Sequence, residues 1–141
     1  MRYMLDTNIC IYIIKRRPPS VLAALLKHEQ AGIGVSIITV CELAYGAAKS
    51  GSARNQAALQ QFLEPLSVAD FDRAAAAAYA KLRAHLEAAG TPIGPFLGPL
   101  DTQIAAHALS LGVTLVSNNT REFERVPDLQ LVNWVSEPSA P

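Results

Sequence analysis

Hydrophobic positions along this chain fall into short continuous runs and longer stretches with helical spacing, and strict alternation is rare. Arg2 to Leu5 predicts a short buried strand that ends at Asp6. Ile9 to Lys15 continues with helical spacing until Arg17-Pro18-Pro19 stops it, because proline lacks the N–H that a helix interior needs. Ser20 is a candidate cap for a helix over Val21 to Gln30. Gly32 and Gly34 lead through a strand at Val35 to a helix over Ile37 to Lys49, which Ser50-Gly51-Ser52 ends. A helix over Arg54 to Leu63 and a third strand over Glu64 to Val68 follow. Asp70 is the expected cap of a long helix in which Phe71, Ala75, Tyr79, Leu82 and Leu86 recur every three or four residues and face the core. Gly90-Thr91-Pro92 ends it, and a Gly/Pro-rich loop runs to Pro99. The remaining pattern predicts a helix over Thr102 to Leu111, a strand over Val113 to Val116 and a polar loop from Ser117 to Thr120. A short helix around Glu122 and a last strand near Leu129 to Trp134 complete it, with Glu137 to Pro141 read as a disordered tail.

Short apolar strands alternating with helices imply an α/β fold, a parallel sheet covered by helices on both faces. Such sheets bind ligands beyond the carboxyl ends of their strands. The 141 residues suffice for one core and no linker or repeat divides them, so residues 1–136 read as a single domain. Half the residues are hydrophobic and 17% are charged, an apolar balance that predicts a surface in contact with another protein. The longest apolar runs, Met4 to Ile14 and Val35 to Ala48, are broken by Asp6, Asn8, Ser36 and Glu42, so neither reads as a membrane span. No basic leader with a cleavage site is visible, and the cytoplasm is the expected location. Cys10 and Cys41 have no CxxC spacing and read as reduced core residues. Twelve basic and twelve acidic residues give zero net charge, so any nucleic-acid binding must use local patches.

Charge placement changes the picture most. Asp6 is the only charged residue between Arg2 and Lys15, Glu42 the only one between Glu29 and Lys49, and Asp101 the only one between Glu87 and Arg121. Ionised carboxylates are seldom buried without a partner. Brought within about 5 Å of one another at an effective dielectric of about 20, each pair repels by roughly 3 kcal/mol. A divalent cation removes that repulsion, and oxygen-only ligation selects Mg²⁺ or Mn²⁺. Each acid also has a plainer reading: Asp6 as a helix cap, Thr39-x-x-Glu42 as a capping box, and Asp101 as the N-cap of the next helix. Capping explains an acid at a helix start, but not why nothing around it is charged. His107 lies about 240° around a helix from Asp101 and reads as a packed or surface histidine, with His28 and His85 facing solvent. Lys15-Arg16-Arg17 suits a helix end in any protein and is also a candidate phosphate contact. No GxGxxG, P-loop, GxSxG or paired-cysteine zinc pattern occurs.

Five blocks in order resemble the PIN-domain ribonucleases, and in particular the VapC toxins of VapBC toxin–antitoxin pairs. They are Met4-Leu5-Asp6-Thr7-Asn8, Val35 to Gly46, Gly90-Thr91-Pro92-Ile93-Gly94, Asp101 to Ala108, and Leu115 to Phe123. The resemblance implies a PIN-like parallel sheet with helices on both faces, and Asp6, Glu42 and Asp101 as the acidic triad of a metal-dependent nuclease. Asn119 stands where many relatives have a fourth acid; its amide can accept from a bound water but adds no charge. The implied cofactor is Mg²⁺ or Mn²⁺ on Asp6 and Asp101, with Glu42 orienting water or a second ion. Thr7 and Asn8 would fix the Asp6 carboxylate or touch the phosphate, and Arg16, Arg17, Lys49, Arg54 and Arg121 are candidates for backbone contacts.

The implied partners are an RNA substrate, often tRNA, a second copy of the chain, and a cognate VapB-like antitoxin that fills the groove, with DNA reached only through that antitoxin. Here Pro95-Phe96-Leu97-Gly98-Pro99 intervenes where relatives pass more directly to the Asp101 helix, and Phe96 and Leu97 would shape the groove or meet a partner. One alternative is a PIN-fold subunit of a DNA-binding regulatory complex without nuclease activity, which the neutral Asn119 permits. Another is a phosphatase-type DxD with Asp6 as nucleophile, against which the missing second acid at residue 8 argues.

Overall fold

The computed structural model describes residues 1–90 and 99–136. Within them the chain runs β1 (Tyr3–Leu5), α1 (Thr7–Lys15), α2 (Pro19–His28), a 3-10 turn (Glu29–Ala31), β2 (Ile33–Ser36), α3 (Ile37–Ser50) and α4 (Ala53–Leu63). It continues through β3 (Ser67–Ala69), α5 (Arg73–Ala88), α6 (Pro99–Leu111), β4 (Thr114–Val116), α7 (Thr120–Phe123) and β5 (Leu131–Val132). The described strands form one parallel sheet in the order β3-β2-β1-β4-β5, with β1 at the centre.

Period-two geometry divides the core. Met4 and Leu115 point to one face and pack with Leu82, Leu86, Ile104, Ala108 and Phe123 of α5, α6 and α7. Their neighbours Leu5 and Val116 point to the other face, against Ile9, Ile13, Val21 and Leu43 of α1, α2 and α3. Each large aliphatic side chain fully buried in this way contributes about 1.5–3 kcal/mol relative to exposure. The sheet is thus covered on both sides, as continuous apolar runs predict. After β1 the chain builds outward to β2 and β3, then returns through α5 and α6 to β4 on the opposite side of β1. The carboxyl ends of β1 and β4 flank that reversal, where α/β sheets leave a crevice.

Several sequence expectations shift by a few residues, each for a local reason. Ser20 is not the cap of α2: the helix starts at Pro19, which suits the first helical position, and Ser20 Oγ instead donates to the Val135 carbonyl at 2.9 Å. Asp70 does not cap α5; Asp72 does, accepting from Ala75 N–H at 3.0 Å, and Phe71 precedes the helix. The strand expected over Glu64 to Val68 is Ser67–Ala69, and the last strand contracts to Leu131–Val132. Gly112, at φ +66°, stops α6, and β4 begins at Thr114. Cys41 is exposed on α3 rather than in the core, while Cys10 is buried; both are free. His28 does not face solvent freely, because its half-buried ring stacks on Trp134 at 5.4 Å and tilts against Tyr3 at 4.9 Å. The segment Thr91-Pro92 to Gly98 and the tail from Glu137 lie outside the described residues. No described helix is long and apolar enough to cross a membrane.

Candidate functional site

Asp6 follows Leu5 directly, at the carboxyl end of the central strand, and is 5% exposed. Its Oδ1 accepts from Ile9 N–H at 2.9 Å, so it does cap α1. Capping occupies one side of the carboxylate and leaves further lone-pair sites for a ligand. Burial pushes the Asp6 carboxyl up to about 6; hydrogen bonding by Ser117 and Ile9 N–H pulls the other way, and the charges of Asp101 and Glu42 push it further up. Cys10, one helical turn along, is buried, and its thiol is held well above its ordinary value by burial and by Asp6.

Glu42 sits in the second turn of α3, half-buried, and accepts a 2.6 Å hydrogen bond from Thr7 Oγ1. Thr39 Oγ1, fully buried one turn earlier, lies 3.3 Å from the same hydroxyl. The capping-box reading of Thr39 and Glu42 is therefore wrong: Ser36 is the cap, its Oγ accepting from Ile38 N–H, and Glu42 reaches across to α1. Asp101 is not an N-cap either, since α6 begins at Pro99 and Asp101 lies inside its first turn. Asp101 is half-buried, and its carboxyl is raised by burial first and by the charge of Glu42 second.

The three acids thus occupy one electrostatic neighbourhood at the carboxyl ends of the central strands, and no cation is among the groups that shift Asp6 or Asp101. They are not pinched into a closed ligand set: among the described residues, no three His, Cys, Asp or Glu are arranged to hold a metal ion. The donor chemistry nonetheless fits a hard divalent cation, because the deepest carboxylate is buried within the electrostatic reach of two others, and all the donors are oxygen.

Asn119 is half-buried at the N-cap position of α7, where its side chain makes no capping hydrogen bond. Its link to the acids runs through the backbone: Asn119 N–H donates to Ser117 Oγ at 2.9 Å, and Ser117 in turn hydrogen-bonds Asp6. Sequence reasoning gave Thr39 only a capping role and assigned Ser36 and Ser117 no part in the site, yet all three are fully buried. The available signal was polarity inside apolar runs, Ser36 and Thr39 within Val35 to Val40 and Ser117 immediately after Val116. Asn8, Arg16, Arg17, Lys49, Arg54 and Arg121 are all exposed. A cavity of about 350 Å³ opens beside Thr7 and Glu42, lined largely by apolar groups including Ile11, Ile14, Leu43 and Leu59, and also by Lys15.

The pattern of the family described as PIN domain matches residues 3–129. The chain is 44% identical over 135 residues to the tRNA(fMet)-specific endonuclease VapC of Shigella flexneri, covering 95% of this chain and 98% of that protein. It is 47% identical over 137 residues to ribonuclease VapC2 of Haemophilus influenzae, covering 96% and 99%. Among solved structures it resembles VapBC2 from Rickettsia felis bound to a DNA fragment from the promoter, with a TM-score of 0.84, 40% identity, and coverage of 95% and 99%.

Proposed function

This chain belongs to the PIN-domain family, and from that premise we propose that it is an endoribonuclease of the VapC kind, the toxin of a toxin–antitoxin pair. The observation that carries the reading is the buried Asp6 carboxylate, raised to about 6 beside Asp101 and Glu42 at the carboxyl ends of the central strands. A site that gathers unpaired acids in low dielectric favours a bound cation over an empty pocket. Mg²⁺ or Mn²⁺ would be held by Asp6 and Asp101, with Glu42 nearby, and would supply a Lewis acid that neutralises phosphate charge and lowers the pKa of water.

The chain's own residues supply the rest. Ile9 N–H and Ser117 orient the Asp6 carboxylate, and Thr7 fixes Glu42 so that its remaining lone pairs can accept from a water attacking phosphorus. Asn119 is the neutral fourth member, accepting from water without adding charge. The exposed Arg16, Arg17, Lys49, Arg54 and Arg121 serve the RNA backbone, which a chain of zero net charge must bind through local cations. The relatives named for tRNA(fMet) make initiator tRNA the first substrate to try.

The apolar groove beside Glu42 suits a segment of a VapB-like antitoxin. The solved VapBC complexes from Rickettsia felis and Salmonella typhimurium are bound to DNA, and on this reading DNA is reached through the antitoxin alone. The working unit is a cytoplasmic homodimer whose residues 1–136 act as one domain. The test is direct: the purified chain is incubated with initiator tRNA and Mg²⁺ or Mn²⁺, with and without chelator. Cleavage is expected only with metal, and Asp6→Asn or Asp101→Asn is expected to abolish it while circular dichroism stays unchanged. Full activity in either variant would remove the assigned site. Metal-independent silence together with tight DNA binding in complex with a partner would favour the non-catalytic regulatory subunit.

A further inference from the structure

His107 lies in α6, six residues after Asp101, and is 1% exposed. Its Nδ1 is 2.8 Å from Ser36 Oγ, and that oxygen also accepts from Ile38 N–H at 3.0 Å as the cap of α3. Oγ has a proton to donate to Nδ1 and a second lone pair to accept from it, so the bond is kept in either ring tautomer. Nε2 has no partner at strict hydrogen-bond geometry, though the Asp70 backbone acts on the ring as an acceptor, and the Phe71 and His107 rings meet edge to face at a centroid distance of 5.2 Å. The bond to Ser36 is a polar link between α6 and the start of α3.

Direction is what the hydrogen bond adds. Around it α6 buries Ile104, Ala105, Ala106 and Ala108, whose apolar contacts are non-directional. The polar pair ties one point of α6 to one point of α3. Ser36 caps α3, which carries Glu42, and His107 lies in α6, which carries Asp101, so the bond joins the two helices that hold these acids. The charge of Glu42 acts on Asp101. Six residues of helix span about 9 Å, and a helix transmits a tether over that length with little give.

We propose that His107, through its hydrogen bond to Ser36, is a positioning residue that sets the separation between Asp101 and Glu42. The inference rests on the nuclease reading, in which those two acids share one site. It is tested by His107→Leu, which removes the bond and keeps the volume, and by His107→Asn, whose amide stands near the place of Nδ1 and restores a polar partner for Ser36. Ser36→Gly removes the hydroxyl from the other side and keeps a residue that helix N-caps tolerate, and it stands in if His107→Leu does not fold.

Two readouts are taken. Calorimetric Mn²⁺ titration is expected to show about 10-fold weaker binding in His107→Leu and Ser36→Gly, with most of the affinity regained in His107→Asn. Metal-free electron–electron distance measurements use spin labels at Tyr45→Cys on α3 and Leu111→Cys on α6, both exposed in the parent chain, in a Cys41→Ser background. The distance distribution is expected to broaden or shift in His107→Leu and to narrow again in His107→Asn. Unchanged Mn²⁺ affinity together with an unchanged distance distribution, at whatever melting temperature, would overturn the proposal and leave His107 a plain core residue. If the parent chain neither binds Mn²⁺ nor cuts RNA, the nuclease reading fails, and the distance measurement alone then decides the tether.

Discussion

Asp6 works against the fold in the metal-free chain. Its carboxyl titrates at about 6 in the folded state against 3.8 as a free side chain, mainly because burial disfavours the charge. Below pH 3.8 both states hold the proton and the residue has no effect on stability. As pH rises from 3.8 to 6 the unfolded chain ionises first, so the fold loses stability, and above 6 the whole penalty of about 3 kcal/mol is present. Asp6→Asn keeps an oxygen for Ile9 N–H and removes the charge. In urea unfolding with chelator present, the variant is expected to match the parent at pH 3.5 and exceed its stability by up to about 3 kcal/mol at pH 7.5; a less stable variant at neutral pH would contradict the burial argument. Thr7→Val keeps the branched shape and removes the donor to Glu42. Its kcat is expected to fall about 10-fold with KM nearly constant, since Glu42 would be present but loose. The isolation of Asp6, Glu42 and Asp101 was legible in the sequence because charge spacing is a one-dimensional property. The hydroxyls that orient them were not, because Thr7 and Glu42 are 35 positions apart and nothing local marks the pair.

At the scale of elements, the sequence located the described helices and strands to within a few residues, and its errors there concern the bounds of β3 and β5 and which polar residue caps a helix. Asp70 and Asp72 flank Phe71 in one short stretch, and either satisfies the rule for an N-cap. The choice falls to Asp72 in a structure where Phe71 leaves the helical path and lays its ring against His107, a contact made by a residue 36 positions away. Asp72→Ala is therefore expected to lower stability by about 1 kcal/mol, and Asp70→Ala to change it by a few tenths at most. Comparable losses in both variants on thermal unfolding would mean that the helix frays between the two registers. Glu42 and Asp101 show the same limit. Helical periodicity gave their elements, but the start at Pro99 moved Asp101 from the cap into the first turn, where its side chain can face Glu42.

For the whole molecule, the acids' repulsion and their use are two sides of one arrangement. A cation that binds the folded chain and not the unfolded one stabilises it by mass action, about 2.7 kcal/mol at a hundredfold excess over Kd. Adding Mn²⁺ to the parent chain is expected to raise its melting temperature by several degrees, and to leave Asp6→Asn nearly unmoved. Equal shifts in both proteins would place the ion elsewhere. By itself the sequence determined the alternation of strands and helices, the apolar faces that force a two-sided parallel sheet, and the identity of the stranded acids. These follow from periodicity and composition, which act between near neighbours. Tertiary structure alone decided that β1 stands between β2 and β4, that Thr7 reaches Glu42 and that His107 reaches Ser36. Such contacts join residues far apart in the chain, and their geometry is set by how whole helices settle on the sheet.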